Sequence, residues 1–92
     1  KIKAWKLHKK QQTLITVVVG KIKIVFFDIN YKFLKESIIN AKYPKYIQIP
    51  INTWYGFKGL SKNQSIICSV INQKHYANEQ LNKNLSYIKY NW

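Results

Sequence analysis

Residues 3–28, KAWKLHKKQQTLITVVVGKIKIVFFD, decide how this chain is read. Side chains of an extended strand point alternately to opposite sides. In the first stretch Ile2, Ala4, Lys6 and His8 therefore share one face, with Lys3, Trp5 and Leu7 on the other. TLITVVV, residues 13–19, is a β-branched run ended by Gly20, and branching at Cβ suits a pleated, half-buried surface. KIKIVFFD alternates again, setting Ile22, Ile24 and Phe26 opposite Lys23, Val25 and Phe27. Joined tightly at Gly20–Lys21, these two runs predict a β-hairpin.

The same punctuation continues outward. INYKFLKESIINAKYPKY, residues 29–46, suits a helical turn or a short strand, and Pro44 breaks it. YIQI (46–49) predicts a strand with Ile47 and Ile49 on one side, ended by Pro50. Further strands are expected at Trp54–Leu60, in SIICSVI (65–71) and, closing the chain, in LSYIKYNW (85–92). NQKHYANEQLNKN (72–84) reads as a polar loop. Six or seven short strands with frequent turns predict an all-β sandwich or barrel.

The 92 residues fit one domain, 1–92, whose core is thin because a short chain buries only roughly two-thirds of its unfolded surface. A second copy would supplement it, so a homodimer is expected. There is no methionine, and the sequence opens inside an expected strand; it reads as a processed, trimmed or partial chain. No run approaches the roughly 20 apolar residues of a membrane span, no targeting segment is evident, and a cytoplasmic location is expected. The single Cys68 excludes an internal disulfide and a multi-cysteine zinc site.

The net charge of +13 comes from sixteen basic residues, all of them lysine. Guanine and phosphate forks favour arginine's planar guanidinium, and these lysines are scattered from Lys1 to Lys89 with no block longer than Lys9-Lys10. A solvated surface that attracts small anions is the better reading, and nucleic acid is not expected as a partner. Asp28, Glu36 and Glu79 are the only carboxylates and lie far apart in sequence, which argues against a paired-carboxylate glycosidase.

The order of motifs resembles the cupin superfamily of small β-barrels and jelly rolls. Its first motif, H-x-H-x4-E-x6-G, aligns without a gap on Lys6, His8, Thr13 and Gly20; its second, P-x-G-x2-H-x3-N, aligns on Pro50, Asn52, Tyr55 and Gly59. Three of the four ligand positions of metal-binding cupins thus hold Lys6, Thr13 and Tyr55. An ammonium and two hydroxyls around one imidazole hold a divalent transition ion poorly, so no metal and no other cofactor is expected.

Within that superfamily the chain looks like the dTDP-4-dehydrorhamnose 3,5-epimerases and related keto-sugar isomerases. IPINTWYGF (49–57) is similar to their IPPGFAHGF, GLS (59–61) to vLS, HYANE (75–79) to YYAPE, and YIKYNW (87–92) to their closing aromatic strand. The resemblance covers nearly the whole chain and lacks the family's N-terminal strands and C-terminal tail. It implies a nucleotide-linked sugar as partner and proton abstraction beside a carbonyl, which needs a base and an opposed donor. By position the epimerase base falls on Lys6, the histidine of AHGF on Tyr55, the tyrosine acid on Cys68, and a supporting lysine at or near Thr13. None is retained.

The isomerase branch offers RGHHAHKK against KAWKLHKK, residues 3–10, and keeps its second histidine as His8. His8 is therefore the leading acid–base candidate, since imidazole ordinarily titrates at about 6.5. Lys6 is its electrostatic partner, and Tyr55 a proton donor or an aromatic wall. Substrate contacts are assigned to Lys10, Thr13, Trp54 and Cys68. Trp54, like Trp5 and Phe57, also suits packing, and Cys68 also suits an inert core thiol. His75 is expected on the surface. The resemblance accordingly implies an epimerase or isomerase of surface-polysaccharide or lipopolysaccharide sugar synthesis, or a non-catalytic sugar-binding cupin on the same scaffold.

Overall fold

In the computed structural model, which describes residues 2–71 and 80–92, the alternating stretches are strands. They form β1 (Ile2–His8), β2 (Thr13–Val19) and β3 (Lys21–Phe27). β4 (Phe33–Asn40), β5 (Ile47–Ile49), β6 (Trp54–Gly59), β7 (Ile66–Ile71) and β8 (Gln80–Asn82) follow, with a 3-10 turn at Leu85–Tyr87. A five-stranded antiparallel sheet, ordered β4-β3-β6-β1-β8, packs on a three-stranded one, ordered β5-β2-β7. The architecture is all-β and jelly-roll-like, two facing sheets rather than one closed barrel. HYANE and His75 lie outside the described residues.

Three sequence expectations change. The ambiguous segment before Pro44 is a strand, β4, and it forms the local hairpin with β3. Asp28 makes that turn: its Oδ1 accepts from the backbone N–H of Asn30 at 2.8 Å and of Lys32 at 2.9 Å, the side-chain mimicry that suits aspartate to turns. The predicted hairpin at Gly20–Lys21 does not form. β2 and β3 belong to different sheets, so Gly20 carries the chain across the sandwich. Its φ of +84° suits glycine, and a Cβ there would lie 2.6 Å from Ser65 Oγ and 2.8 Å from Ser61 Oγ. The physical reason is burial. Ile15 and Val17 of β2 meet Ile22, Ile24 and Phe26 of β3 across the interior, which neighbours within one sheet could not do.

The third change concerns the C-terminus. Gln80–Asn82, read as loop, pairs with β1, while LSYIKYNW is not a strand. Instead Ile88, Tyr90 and Trp92 lie over the outer face of the five-stranded sheet, against Trp5, Leu7, Val25, Phe27 and Trp54. The central strands β1, β3 and β6 are thus covered on both faces, while the edge strands β4 and β8 stay mostly exposed. Trp5 meets Phe27 edge-on at 5.3 Å and Trp92 at 5.4 Å. Gly56 lets Trp92 close down, since a Cβ there would stand 2.6 Å from Ala4 Cβ and 3.0 Å from the Trp92 ring. Lys23 Nζ donates to the Trp92 carbonyl at 2.8 Å.

Candidate functional site

Strict alternation along β1 would place Lys3 opposite Lys6, but the strand does not alternate throughout. Its pairing with β6 runs Ile2–Lys58, Lys3–Phe57, Ala4–Gly56, then skips Trp5 and resumes Lys6–Tyr55, Leu7–Trp54. β6 pairs in turn with β3, placing Tyr55 beside Phe26 and Phe57 beside Ile24, both interior residues. Cross-strand partners share a face. Lys3 and Lys6 therefore both point into the sandwich, and Ala4, Trp5 and Leu7 point out. One bulged residue shifts the phase of everything beyond it. The expectation that Lys3 joins Trp5 and Leu7 is corrected accordingly; that Lys6 and His8 share the inner face holds.

His8, at the end of β1, is 5% exposed, and its Nε2 lies 3.0 Å from the Tyr55 hydroxyl, itself on a residue 6% exposed. The His8 carbonyl accepts from the Asn52 N–H at 2.7 Å, which ties β1 to the turn preceding β6. Tyr55 packs among Ile15, Phe26 and Ile49 and meets the Phe57 ring edge-on at 5.5 Å. Its ring is thereby fixed, which fixes the direction of the hydroxyl. Beside it opens a cavity of about 360 Å³ lined by Lys3, Lys6, Tyr55, Phe57 and Asn82, among others. Lys6 is half-buried and lies in register with Tyr55 on one side and Asn82 on the other. Gln80 Nε2 donates to Asn82 Oδ1 at 3.1 Å on the same face.

Thr13 begins β2 on the opposite sheet, facing inward beside Ile49. It is 5% exposed, and its Oγ1 has no hydrogen-bond partner among the described residues. A buried hydroxyl left so costs roughly 1–3 kcal/mol. β1 leads into β2 and β5 into β6 at this same end, so Thr13 belongs to the His8–Tyr55 end of the sandwich.

The remaining assigned residues are not gathered there. Lys10 is exposed in the β1–β2 connection. Trp54 is 2% exposed but on the outer face, in register with Leu7 and stacked 6.2 Å from Tyr31; it packs the outer core and does not line the cavity. Cys68 is exposed rather than an interior thiol. Its neighbour Ile67 packs on the core, so Cys68 points away from it, on the three-stranded sheet. What sequence reading missed is Lys3 and the Gln80–Asn82 pair, because only the bulge and the β1–β8 pairing bring them to this face.

The arrangement can move a proton. Tyr55 lines the cavity and its hydroxyl meets the His8 imidazole; in either histidine tautomer the pair forms one hydrogen bond. The donor set suits a divalent cation badly. His8 Nε2 is engaged by Tyr55, Lys6 brings an ammonium, and Thr13 and Tyr55 bring neutral hydroxyls. No group of three His, Cys, Asp or Glu residues with metal-site geometry occurs among the described residues, nor is any helix there long and apolar enough to cross a membrane.

No protein-family profile and no curated protein matches the chain. Solved structures do. A dTDP sugar isomerase from Desulfovibrio desulfuricans G20 superposes with a TM-score of 0.84 at 24% identity, over 100% of this chain and 64% of its own. CapF with the inhibitor 3-isopropenyl-tropolone gives 0.80 at 18% identity, over 88% of this chain and 24% of CapF. The capsular polysaccharide assembling protein CapF from Staphylococcus aureus gives 0.79 at 18%, with the same coverage. The chain therefore spans just under two-thirds of the isomerase and about a quarter of CapF. At these identities the likeness establishes the fold.

Proposed function

We propose that this chain is an epimerase/isomerase-like cupin acting on a nucleotide-linked keto-sugar, of the dTDP-4-keto-hexose kind, in surface-polysaccharide or lipopolysaccharide sugar synthesis in the cytoplasm. The observation that carries this reading is the buried His8–Tyr55 hydrogen bond beside a cavity that Tyr55 and Lys6 both line. A volume of about 360 Å³ lies within the common range of small-molecule sites. The likeness in fold to a dTDP sugar isomerase supports the substrate class.

The step is metal-independent. The C–H bond beside the sugar carbonyl breaks, its proton passes to Tyr55 Oη, and the hydroxyl's own proton moves to His8 Nε2. The electron pair enters the carbonyl system as an enolate, whose charge the Lys6 ammonium offsets. Protonation of the same carbon by solvent water from the opposite ring face inverts the centre; protonation of the former carbonyl carbon, with the neighbouring hydroxyl's proton passing to the former carbonyl oxygen, isomerises the sugar. His8 is the acid/base, Tyr55 the group in contact with substrate, and Thr13 a buried donor to it. A second copy of the chain is expected to cover the outer face of the three-stranded sheet, where Leu14, Val18 and Val70 are exposed; sedimentation at micromolar concentration distinguishes monomer from dimer.

A second reading has its own support. The family's acid tyrosine falls on Cys68, which is exposed and far from the inner face, so the scaffold suits a non-catalytic nucleotide-sugar-binding cupin as well. Incubation with a dTDP-4-keto-hexose in deuterated water separates the two. Loss of a ring-proton resonance beside the carbonyl supports catalysis. Saturable binding without exchange supports the binding module, and absence of both refutes the reading.

A further inference from the structure

The end of the sandwich opposite His8 is formed by three connections: Gly20 between β2 and β3, residues 41–46 between β4 and β5, and residues 60–65 between β6 and β7. They are bonded to one another through the crossing at Gly20. Ala41 N–H donates to the Gly20 carbonyl at 2.9 Å, and Leu60 N–H to the Lys21 carbonyl at 2.8 Å. Lys21 N–H donates to Ser61 Oγ at 2.8 Å, and Ser65 Oγ donates to the Lys21 carbonyl at 3.2 Å. The 41–46 connection is tied down further. Lys42 N–H donates to Asn40 Oδ1 at 3.0 Å, Tyr43 N–H to the Asn40 carbonyl at 3.0 Å, and Thr16 Oγ1 to the Lys45 carbonyl at 2.7 Å. These bonds engage the backbone of the KYPKY stretch, residues 42–46, and leave its rings in solvent: Tyr43 is 76% exposed and Tyr46 64%.

The rest of this end is basic and partly apolar. Lys42, Lys45 and Lys62 are exposed, as are Val19 and Ile66, a cross-strand pair. The side-chain carboxylates among the described residues lie elsewhere. Asp28 turns the chain at the His8 end, and Glu36 sits in mid-β4, where it accepts from the Tyr90 hydroxyl. We propose that this end docks on the surface of an anionic lipid bilayer. Tyr43 and Tyr46 enter the headgroup layer, Val19 and Ile66 face the acyl boundary, and the three lysines meet the anionic headgroups. Tyrosine suits that layer because its ring is apolar and its hydroxyl stays wet. Lysine gains there from the negative surface potential. Single-stranded nucleic acid also stacks on tyrosine, but exposed aliphatic side chains add nothing to phosphate contacts, and the chain has no arginine fork. A second copy seated symmetrically here would set these lysines against their own equivalents. Docked end-on, the protein holds His8 and Thr13 at the end away from the lipid.

Co-sedimentation with vesicles in about 0.1 M salt tests the proposal. Wild type is expected to pellet with vesicles of phosphatidylcholine and phosphatidylserine and to stay in solution with phosphatidylcholine alone. Lys42→Gln with Lys45→Gln should weaken the partition about thirtyfold, roughly fivefold for each lysine near the surface. Tyr43→Ser with Tyr46→Ser should weaken it about tenfold with no change in net charge. Lys9→Gln with Lys32→Gln removes the same charge from exposed positions at the His8 end and should change it less than about twofold. All of these positions are exposed, so an unchanged thermal midpoint verifies that each variant is folded. If the two lysine pairs weaken binding equally, the attraction is diffuse and the inference fails. Equal pelleting with phosphatidylcholine alone also overturns it. So does failure to pellet with either vesicle, whether this end then proves to retard a single-stranded oligonucleotide in a gel or to join a second copy in sedimentation velocity.

Discussion

The two faces of the five-stranded sheet are built from the same strands and do opposite things. Its outer face, around β1 and β6, is aromatic: Trp5, Leu7, Phe27 and Trp54, sealed by Ile88, Tyr90 and Trp92. The inner face of the same two strands carries Lys3, Lys6, His8 and Tyr55. A small jelly roll ordinarily buries its inner face and wets its outer one. Here the C-terminal segment covers the outer face, which frees part of the interior for polar groups. Apolar burial is worth roughly 25 cal/mol per Å², so the stability withheld from the interior is recovered outside. The contrast assigns structure to one face and chemistry to the other.

The largest expected effect is on the outer face. Trp5→Ala should cost about 3–5 kcal/mol, the usual penalty for deleting a buried aromatic. That is a large share of the stability of so small a domain, and a urea titration should show a clearly lowered midpoint. If the midpoint stays within error of wild type, the outer cluster is not a second core. Tyr55→Phe belongs to the inner face and should reverse the pattern. Proton exchange into keto-sugar falls about 10²–10⁴-fold, the usual scale for losing a general acid or base, while stability falls by only about 1 kcal/mol. His8→Ala should lower exchange similarly. Retained activity in both variants would remove the catalytic assignment.

The smallest effect is a pH dependence of the outer face. Burial first, and then the Glu36 carboxylate that accepts its hydrogen bond, push the Tyr90 hydroxyl up to about 12. A raised folded-state value favours the neutral phenol. The contribution is therefore fully present below the unfolded value of about 10 and is lost as pH rises towards about 12. Tyr90→Phe should flatten the stability difference between pH 9 and pH 12 relative to wild type, read from thermal midpoints, against a background of titrating lysines common to both proteins. An unchanged difference would show that Tyr90 does not couple to this window.

Much of the fold was legible in the residue pattern. β-Branched runs and period-two alternation place β2, β3, β5, β6 and β7 close to where they occur, because side-chain branching and facial alternation are local properties. The C-terminal aromatics were misread as a strand because alternation does not distinguish pairing into a sheet edge from packing across its face. The site was legible in part. His8, Lys6 and Tyr55 converge, whereas Trp54 and Cys68 do not: Trp54 alternates with Tyr55 along β6 and so takes the outer face, and Cys68 lies on the outward side of the three-stranded sheet.

From its sequence alone, then, this protein is a lysine-rich all-β domain with a histidine and a tyrosine at cupin motif positions. Those properties are carried by each residue and its immediate neighbours. Only the tertiary structure decided that Gly20 crosses between sheets instead of turning a hairpin, that Lys3 faces inward, and that His8 and Tyr55, 47 positions apart, share a hydrogen bond. Each depends on which strands become neighbours. That choice is made by the pooled burial of distant apolar faces, and no local spacing encodes it.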